Sequence, residues 1–235
     1  MIIITGATSS IGHALARELA KGGHDLILCA RNKVKLEPVV KDIQARYGVK
    51  CLGSLFDAMD INKHEGLLKK MKDHPVKGIV LAHGYIEGED GLNTIPGDLD
   101  KLVKVNYESI MSLLSAYARY FKGFACVITS VSGDRGKARN LVYNSAKAAA
   151  SVYLQGFVQA APHVRLIEVK PGFVDTPMTY GSVDSILVAS REKVARDIVK
   201  AIRKGKRLVY TPWFWRYIMF ILRNMPDFVF NRLKL

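Results

Sequence analysis

Short apolar runs alternate with longer helix-like segments along most of this chain. Six runs have the composition of strands, at 2–4, 25–30, 50–56, 78–82, 125–129 and 164–169. Segments with helical spacing of apolar residues lie between them, at 13–21, 36–47, 63–71, 99–121 and 146–157. Strands that alternate with helices form parallel sheets covered on both faces. We therefore predict an α/β fold, a Rossmann-like doubly wound parallel sheet in a single domain.

The size and the cysteines narrow the class further. A chain of 235 residues that is 49% hydrophobic can bury a full core. Cys29, Cys51 and Cys126 are odd in number, lack metal-type spacing and lie in apolar runs, so we predict reduced core thiols, no metal site and a cytoplasmic compartment. The glycine turn follows the first strand too early for a secretory signal, and no run of about 18 apolar residues predicts a membrane span.

A glycine-rich turn connects the first strand to the first helix. Its residues are Gly6, Ala7, Thr8, Ser9, Ser10, Ile11 and Gly12. The free N–H groups and the dipole at a helix N-terminus favour anions, and glycines let the backbone approach them closely. In the context of strand, turn and helix, the pattern predicts a diphosphate site. All of these residues except Ala7 are predicted cofactor ligands.

Residues at the ends of the next two strands bear on which dinucleotide binds. Arg31 ends the second strand, where an acid suits a ribose 2′-hydroxyl and an arginine accommodates a 2′-phosphate. We predict NADP(H) in preference to NAD(H), with a solvated arginine as the alternative. Asp57 closes the third strand and is placed to bond the adenine amino group. Asp60 is an equally plausible candidate, and either acid could simply start the next helix.

Further polar residues fall near the same edge of the sheet. His83 follows the fourth strand and is predicted either to border the cofactor or to be structural. Asn106 lies in an apolar stretch of helix, so it is either a satisfied core amide or part of a functional network. Pro171 and Gly172 mark a loop at the carboxyl end of the sixth strand, where open α/β sheets bind ligands.

Tyr143 and Lys147 are the strongest candidates for chemistry. They are four residues apart in a helical segment, which places both side chains on one face. A nearby ammonium group favours the ionised phenol and would lower the pKa of Tyr143 toward neutrality, as a general acid needs. Ser130 ends the strand at 125–129 and could add a hydroxyl beside the same substrate oxygen. Taken alone, this pair also fits a surface or packing role.

Together these motifs resemble the short-chain dehydrogenase/reductase family over residues 1–211. The turn from Thr5 to Gly12 is similar to the family's cofactor turn. Asn106, Ser130, Tyr143 and Lys147 match its catalytic tetrad in order and spacing, and Pro171-Gly172 with Thr176 is similar to its nicotinamide-side loop. The resemblance implies an NAD(P)-dependent oxidoreductase. It also implies cofactor contacts from Tyr143 and Lys147 and from Ala82, His83, Gly84, Pro171, Gly172, Val174 and Thr176.

The resemblance assigns a role to each member of the tetrad. Tyr143 would donate a proton to a ketone as hydride arrives from the nicotinamide, and Ser130 would hold the carbonyl oxygen. Lys147 would bind the nicotinamide ribose and lower the pKa of Tyr143, while Asn106 would hold a proton-relaying water. The helices at 102–117 and 146–157 are the faces through which such enzymes commonly pair, so a homodimer or homotetramer is expected.

Two departures from the family pattern stand out. Ser10 replaces a usual glycine, which narrows the freedom of the turn but leaves Gly6 and Gly12 in place. Leu81-Ala82-His83-Gly84 replaces the family's Asn-Asn-Ala-Gly, a motif that mainly braces the sheet. The second departure therefore bears on the stability of the sheet more than on the chemistry.

The C-terminal end is basic and aromatic. The chain carries a net charge of +14, and residues 191–235 hold twelve Lys or Arg against three acids. The segment 211–223 is almost wholly apolar, with Arg216 and Arg223 seven residues apart. We predict a helical extension at 212–235, beyond a cofactor-binding domain at 1–211. The extension is too short to span a bilayer but suits an anionic membrane surface.

The extension has two alternative roles besides membrane contact. It could pack over the substrate pocket or against a partner subunit. Nucleic-acid binding is disfavoured, because the apolar density exceeds what stacking on single strands needs. The stretch at 178–190, expected to cover the pocket, has no diagnostic residues.

The tail also resembles those of reductases that act on polyprenyl-phosphate-linked keto-sugars, the decaprenylphosphoryl-keto-pentose reductases among them. We therefore expect an NADP(H)-dependent ketone reductase on the cytoplasmic face of a membrane, acting on a lipid-linked or otherwise hydrophobic carbonyl. The alternatives are a soluble 3-oxoacyl thioester reductase and a cofactor-binding regulator without turnover.

Overall fold

A seven-stranded parallel sheet forms the centre of the protein. The structure is a computed structural model, and it describes residues 1–86, 91–176 and 187–233. The strand order is β3-β2-β1-β4-β5-β6-β9, and every neighbouring pair in this sheet is parallel. The order reverses direction beside β1, where open α/β sheets bind ligands at the carboxyl ends of the strands. The predicted fold class is confirmed.

The strands are β1 (Ile2–Thr5), β2 (Leu26–Ala30), β3 (Cys51–Leu55), β4 (Gly78–Leu81), β5 (Gly123–Ile128), β6 (Val164–Pro171), β7 (Phe173–Val174), β8 (Val188–Ala189) and β9 (Leu208–Thr211). The helices are α1 (Ser10–Lys21), α2 (Lys33–Tyr47), α3 (Ile61–Lys70), α4 (Pro96–Val103), α5 (Ser109–Tyr120), α6 (Leu141–Ala160), α7 (Arg191–Lys204), α8 (Trp215–Asn224) and α9 (Asp227–Phe230). A π-helical turn, Lys104–Glu108, joins α4 to α5. The small β7 and β8 pair with each other.

Successive side chains along a strand point to opposite faces of the sheet, so they form two separate hydrophobic cores. Ile2 and Ile4 of β1 pack with α1, α2 and α7 on one face of the sheet. Ile3 points the other way and packs with α3, α5 and α6. Both faces are covered by helices, which is why β1, β2 and β4 are buried at every position and almost wholly apolar.

Several elements differ from the sequence-based prediction, and helix α7 was not predicted. Helix α1 begins at Ser10 rather than at 13, because the Ser9 side chain accepts a hydrogen bond from the Gly12 N–H and caps the helix there. The predicted helix at 99–121 begins at Pro96 and is widened at the π-helical turn. Strand β9 was not predicted. It is a short edge strand beside β6, and it supplies the seventh strand.

The C-terminal extension begins its helix later than expected. Thr211 belongs to β9, and α8 starts only at Trp215. One face of α8 is buried against the domain through Trp215 and Met219, so the alternative of packing on the protein holds for that face. In the described ranges, no helix is both long enough and apolar enough to cross a membrane. The division into two parts at residue 211 remains a prediction.

Candidate active site

The turn between β1 and α1 brings backbone close to the end of β4. Gly6 has φ +68°, and a Cβ added there would lie 2.8 Å from the Cα of His83. A Cβ on Gly12 would lie 2.2 Å from the Gly6 carbonyl oxygen, so neither position has room for a side chain. Ser10 needs no glycine, because it opens α1 without a positive φ. Thr8 and Ser9 are exposed above the turn, and Ile11 is half-buried against the core.

A cleft of about 240 Å³ extends from this turn across the ends of β2, β3 and β4. Arg31 is exposed at its mouth, and Asp57 is half-buried beside it. The Asp57 carboxylate accepts a hydrogen bond from the Met59 N–H at 3.0 Å. Asp60 instead pairs with Lys63 at 2.6 Å, which leaves Asp57 as the acid of this cleft. The lining residues are Gly6, Thr8, Ser9, Ala30, Arg31, Phe56, Asp57, Ala58, His83, Gly84, Tyr85 and Val105.

These features fit a dinucleotide. The turn offers a helix N-terminus with no side chains at its two tight glycines, which suits a diphosphate. At the end of the cleft away from the turn, Arg31 supplies a cation and Asp57 supplies a hydrogen-bond acceptor. Of the predicted ligands, Gly6, Thr8, Ser9, Arg31 and Asp57 line this cleft, whereas Ser10, Ile11 and Gly12 are not among its lining residues.

His83 is a brace between strands and helix. Its Nδ1 lies 2.7 Å from the Thr5 Oγ1, and its Nε2 lies 2.8 Å from the Ser109 Oγ. Because Ser109 donates its own proton to the Val105 carbonyl, the ring donates from Nε2 and accepts at Nδ1. Burial lowers the pKa of His83 to about 3, so the ring is neutral. The backbone of His83 lies against Gly6, and its side chain joins β1 to the helical segment where the family's Asn-Asn-Ala-Gly is missing.

Asn106 ties the segment after β4 to the π-helical turn. Its Nδ2 donates to the carbonyl oxygens of Tyr85 at 2.6 Å and Leu102 at 2.9 Å, and its Oδ1 accepts from the Tyr85 N–H at 3.1 Å. The side chain is completely buried and satisfied. Gly84 lies between this amide and Lys147, since a Cβ there would lie 3.4 Å from Asn106 Oδ1 and 3.7 Å from Lys147 Nζ. Half-buried Ala82 precedes this junction and donates its N–H to the Thr5 carbonyl.

Ser130, Tyr143 and Lys147 converge beside that junction. Tyr143 and Lys147 both lie on α6, as the spacing predicts, and Ser130 follows β5. Ser130 forms a side-chain hydrogen bond with Tyr143. Lys147 Nζ donates to the Ile128 carbonyl at 3.3 Å and lies 5.6 Å from the centre of the Tyr143 ring. All three side chains are buried, with exposures of 8%, 9% and 2%.

The predicted effect of Lys147 on the pKa of Tyr143 is wrong for this arrangement. Burial raises the pKa of Tyr143 to about 12, and the hydrogen bond from Ser130 offsets only part of that. Burial also lowers the pKa of Lys147 to about 8. Desolvation opposes charge on both groups and outweighs their mutual attraction. Tyr143 is therefore protonated at neutral pH, and the lowered pKa of Lys147 lies just above neutrality.

Sequence reasoning missed an ion network beneath Ser130. Lys170, the last residue before Pro171, pairs with Asp134, and its Nζ is 3.5 Å from Glu168 Oε1. Tyr210 OH donates to Asp134 at 2.8 Å. Both side chains of the Lys170 and Asp134 pair are at most 7% exposed. Opposite charges next to two predicted site segments, 130–133 and 171–176, were the signal that could have revealed it.

The predicted nicotinamide-side loop leaves β6 next to Ser130. Pro171 is buried at the end of β6, and the Gly172 N–H donates to the Thr211 carbonyl at 3.0 Å. Val174 is buried in β7, and Thr176 is half-buried. The loop also contacts α8, since a Cβ on Gly172 would fall 1.9 Å from the Trp215 Nε1, which agrees with the alternative that the extension packs on the protein. Residues 177–186, most of the stretch expected to cover the pocket, lie outside the described residues.

The three cysteines, all of which are described, are buried and form no disulfide, as the sequence predicts. Burial raises the pKa of Cys29, Cys51 and Cys126 to about 12, so their thiols stay protonated. They lie in β2, β3 and β5, where they pack as small apolar side chains.

Comparison with known proteins decides the family. The sequence model of the short chain dehydrogenases matches residues 1–185. The chain belongs to the short chain dehydrogenase family. An uncharacterized oxidoreductase of Mycobacterium tuberculosis is 33% identical over 240 residues, covering 99% of this chain and 96% of that protein. One of Streptomyces coelicolor is 30% identical, covering 99% and 95%.

Solved structures of other short chain dehydrogenases share the fold. An alcohol dehydrogenase of Thermococcus sibiricus, complexed with 5-hydroxy-NADP, has a TM-score of 0.78 at 25% identity, covering 89% of this chain and 94% of its own. A short chain dehydrogenase of Burkholderia cenocepacia, in complex with NADP, has a TM-score of 0.83 at 20% identity, covering 100% and 97%. The family and the fold expected from the sequence motifs are confirmed.

Proposed function

We propose that this short chain dehydrogenase reduces a ketone to an alcohol with NADP(H), with Tyr143 as the proton donor. The observation that carries the proposal is the convergence of Ser130, Tyr143 and Lys147 at the end of the Gly6 to Gly84 cleft. A bound nicotinamide would supply the hydride. Two solved structures of the same fold carry NADP or its 5-hydroxy derivative. Arg31 at the mouth of the cleft supports the phosphorylated dinucleotide over NAD(H).

Each side chain near the substrate carbonyl has a different proposed role. Tyr143, with its pKa raised to about 12, keeps its proton at neutral pH and releases it to a developing alkoxide, which is a stronger base than phenolate. Ser130 donates a hydrogen bond to the same oxygen. Lys147, with its pKa lowered to about 8, is still mostly protonated at neutral pH and can resupply a proton. Asn106 acts by holding the Tyr85 segment beside Lys147.

The substrate class is proposed to be lipid-linked or otherwise hydrophobic, with a polyprenyl-phosphate-linked keto-sugar as the leading candidate. Its support is the outer face of the extension, which we define as Trp213, Tyr217, Phe220, Ile221 and Phe228. These side chains are 61% to 69% exposed on a short segment that also buries Trp215 next to Gly172. Exposed apolar patches of this kind mark interaction surfaces.

We propose that this outer face attaches the enzyme peripherally to an anionic membrane. Exposed Arg216, Arg223 and Arg232 lie among the aromatic side chains, and the chain carries a net charge of +14. Cations beside exposed aromatic rings suit a bilayer surface with negative headgroups. A substrate with a lipid anchor would then meet the active site at the surface where it resides.

Vesicle sedimentation tests the attachment. Phe220→Ser with Ile221→Ser should weaken binding to anionic vesicles by about tenfold or more, since each buried apolar side chain contributes roughly 1.5–3 kcal/mol. Val34→Ser, which removes an 80% exposed apolar side chain from α2, is the matched control and should leave binding unchanged. Equal binding of all three proteins would refute the membrane role of the outer face.

A substrate competition tests the reaction. Purified protein with anionic vesicles is offered NADPH with either a polyprenyl-phosphate keto-pentose or a 3-oxoacyl thioester. Turnover of the lipid-linked sugar supports the proposed substrate class. Turnover of the thioester alone would keep the reductase but reject the lipid-linked substrate, and turnover of neither would reject both substrates.

Self-association remains part of the proposal, as a homodimer or homotetramer through α5 and α6. Val152 on α6 is 67% exposed, although it is a large apolar side chain on a helix that otherwise covers the sheet. Light scattering of the purified protein would check this. A monomer at micromolar concentration would contradict it.

A further inference from the structure

One arginine in the turn after Ser130 is enclosed by the C-terminal extension. Arg135 Nη1 donates to the carbonyl oxygens of Leu222 and Met225. Its Nη2 lies 2.7 Å from Asp227 Oδ1, and its Cζ lies 4.0 Å from the centre of the Phe230 ring. The Arg135 side chain is only 14% exposed. Arg135 therefore contacts four residues of the extension and holds α8 and α9 together.

These contacts have a local reason at the end of α8. The last carbonyl groups of a helix lack intrahelical partners, and a cation there also complements the negative end of the helix dipole. Leu222 lies in the last turn of α8, and Met225 follows the helix directly. The planar guanidinium can reach both carbonyls and a carboxylate at once, which a lysine ammonium cannot match in geometry. The seating of the extension therefore depends on the position of Arg135.

The turn that carries Arg135 is short and closely hydrogen-bonded to Ser130. The Ser132 N–H donates to Ser130 Oγ at 3.1 Å, and the Gly133 N–H donates to the Ser130 carbonyl at 3.2 Å. The Asp134 N–H donates to the Val131 carbonyl at 3.1 Å. A displacement of this turn would therefore move the Ser130 hydroxyl with it.

Gly133 leaves the turn little room to adjust. A Cβ at this glycine would lie 2.7 Å from the Ala148 backbone nitrogen and 2.8 Å from the carbonyl carbon of Lys147. The turn is thus pressed against α6 at the catalytic lysine. Its opposite side carries the contacts with the extension.

Two more contacts fix the turn between the extension and the sheet. Val131, the residue after Ser130, is buried against Trp215 and Met219 of α8. Asp134 pairs with Lys170 of β6 and accepts a hydrogen bond from Tyr210 of β9. These contacts connect the turn to α8 and to the strands β6 and β9.

We propose that Arg135 is a positioning residue for Ser130, and that the seated extension is part of the active-site scaffold. The inference rests on the proposed reductase activity for its kinetic consequence. Arg135 acts on the carbonyl only through Ser130, by fixing the turn from which the hydroxyl projects. The extension then has two faces with separate tasks, an inner face that orders the site and an outer face that meets the membrane.

A double-mutant cycle separates positioning from general destabilisation. Arg135→Ala should lower kcat by about 10- to 100-fold, the scale on which small misplacements act, without changing the Kd for NADPH. In a Ser130→Ala background the same substitution should cause no further loss, because the residue it positions is gone. The same fractional loss of kcat in both backgrounds would overturn the proposal. Arg119→Ala, which removes an exposed pair with Glu65, is the matched control and should leave kcat unchanged.

Hydrogen exchange gives a readout that needs no substrate. The double variant Asp227→Ala and Phe230→Ala removes the two side-chain contacts that the extension makes with Arg135 and leaves the sequence of the turn intact. Amides at 131–135 should then exchange faster than in the wild type. Faster exchange confined to residues 222–233 would overturn the proposal. If the wild type reduces no ketone, the proposed function fails, and this exchange result alone decides the role of Arg135.

Discussion

The indole of Trp215 lies against the backbone of Gly172, so closely that a Cβ at residue 172 would fall 1.9 Å from the ring nitrogen. Trp215 belongs to α8, and Gly172 belongs to the loop that leaves β6 beside Ser130. The inner face of the extension is therefore in contact with the active-site region. A change in the loop at Gly172 should therefore displace Trp215 and with it α8.

A methyl group at residue 172 should displace the indole ring of Trp215 from its present position. Gly172→Ala is expected to lower the free energy of unfolding by about 1–3 kcal/mol, as overpacking usually does, and to change the fluorescence of Trp215 in a Trp213→Phe background. Gly156→Ala is the control, since a Cβ there meets nothing within 4 Å. That glycine is inside α6, so its replacement should raise stability by about 0.5–1 kcal/mol. Similar stabilities of the two variants would contradict the contact.

Removing the cation at the cleft mouth should change the choice of dinucleotide. Arg31→Ala is expected to raise the Kd for NADPH by about 10- to 100-fold, since a hydrogen bond to a charged group contributes roughly 1.5–3 kcal/mol. The Kd for NADH should hardly change, because it lacks the 2′-phosphate. Titration by fluorescence measures both. Lys33→Ala removes a neighbouring exposed cation that pairs with Glu37 and serves as the control. A parallel loss for both dinucleotides would argue against a 2′-phosphate site at Arg31.

Neutral His83 should make the protein less stable in acid. Its pKa is lowered to about 3 in the folded state, against 6.5 as its ordinary value. Between these values the unfolded chain binds the proton that the folded protein excludes, so stability is full above pH 6.5 and falls as the pH drops toward 3. One such group contributes a slope of at most about 1.4 kcal/mol per pH unit.

Urea unfolding at a series of pH values checks that slope. His83→Gln should flatten the dependence between pH 6.5 and 4 by up to one proton, whatever its effect on stability at neutral pH. His64, whose pKa burial also lowers, keeps its own share of the slope in both proteins. An unchanged slope in the variant would mean that His83 is not the neutral, buried brace described above.

Lys147 should set the alkaline limb of ketone reduction. Its pKa is lowered to about 8, whereas that of Tyr143 is raised to about 12, so Lys147 loses its proton first as the pH rises. The rate constant for reduction is expected to fall as the pH rises through about 8. Single-turnover kinetics across pH 6–10 would show it. A rate that stays constant up to pH 10 would contradict this assignment. In Lys147→Arg the side chain stays charged, so the remaining activity should no longer fall as the pH rises through about 8.

The sequence alone predicts that the candidate catalytic side chains lie close together, because their signal is local. Tyr143 and Lys147 are one helical turn apart, and Ser130 and Gly172 follow apolar runs whose carboxyl ends must share an edge in a parallel sheet. Arg31 and Asp57 are placed by the same rule. These relations need no knowledge of how distant segments pack.

What the sequence does not predict depends on contacts between distant segments. The contact between Gly172 and Trp215, and the enclosure of Arg135 by α8 and α9, join residues far apart in the chain with no periodic pattern linking them. The pKa of Tyr143 was misjudged for the same reason, since burial depends on everything packed around the ring. Strand β9 was missed because it has only four residues and directly follows a basic stretch, so its hydrophobic signal is short.

The most direct test of the account is the single-turnover rate of NADPH oxidation with a ketone substrate, measured for the wild type and for Tyr143→Phe. The variant keeps the aromatic ring and lacks the hydroxyl group whose proton Tyr143 is proposed to donate. Its rate should fall by about 10²- to 10⁴-fold, the usual contribution of a general acid, with an unchanged Kd for NADPH. A variant that oxidises NADPH at the wild-type rate would show that Tyr143 is not the proton donor.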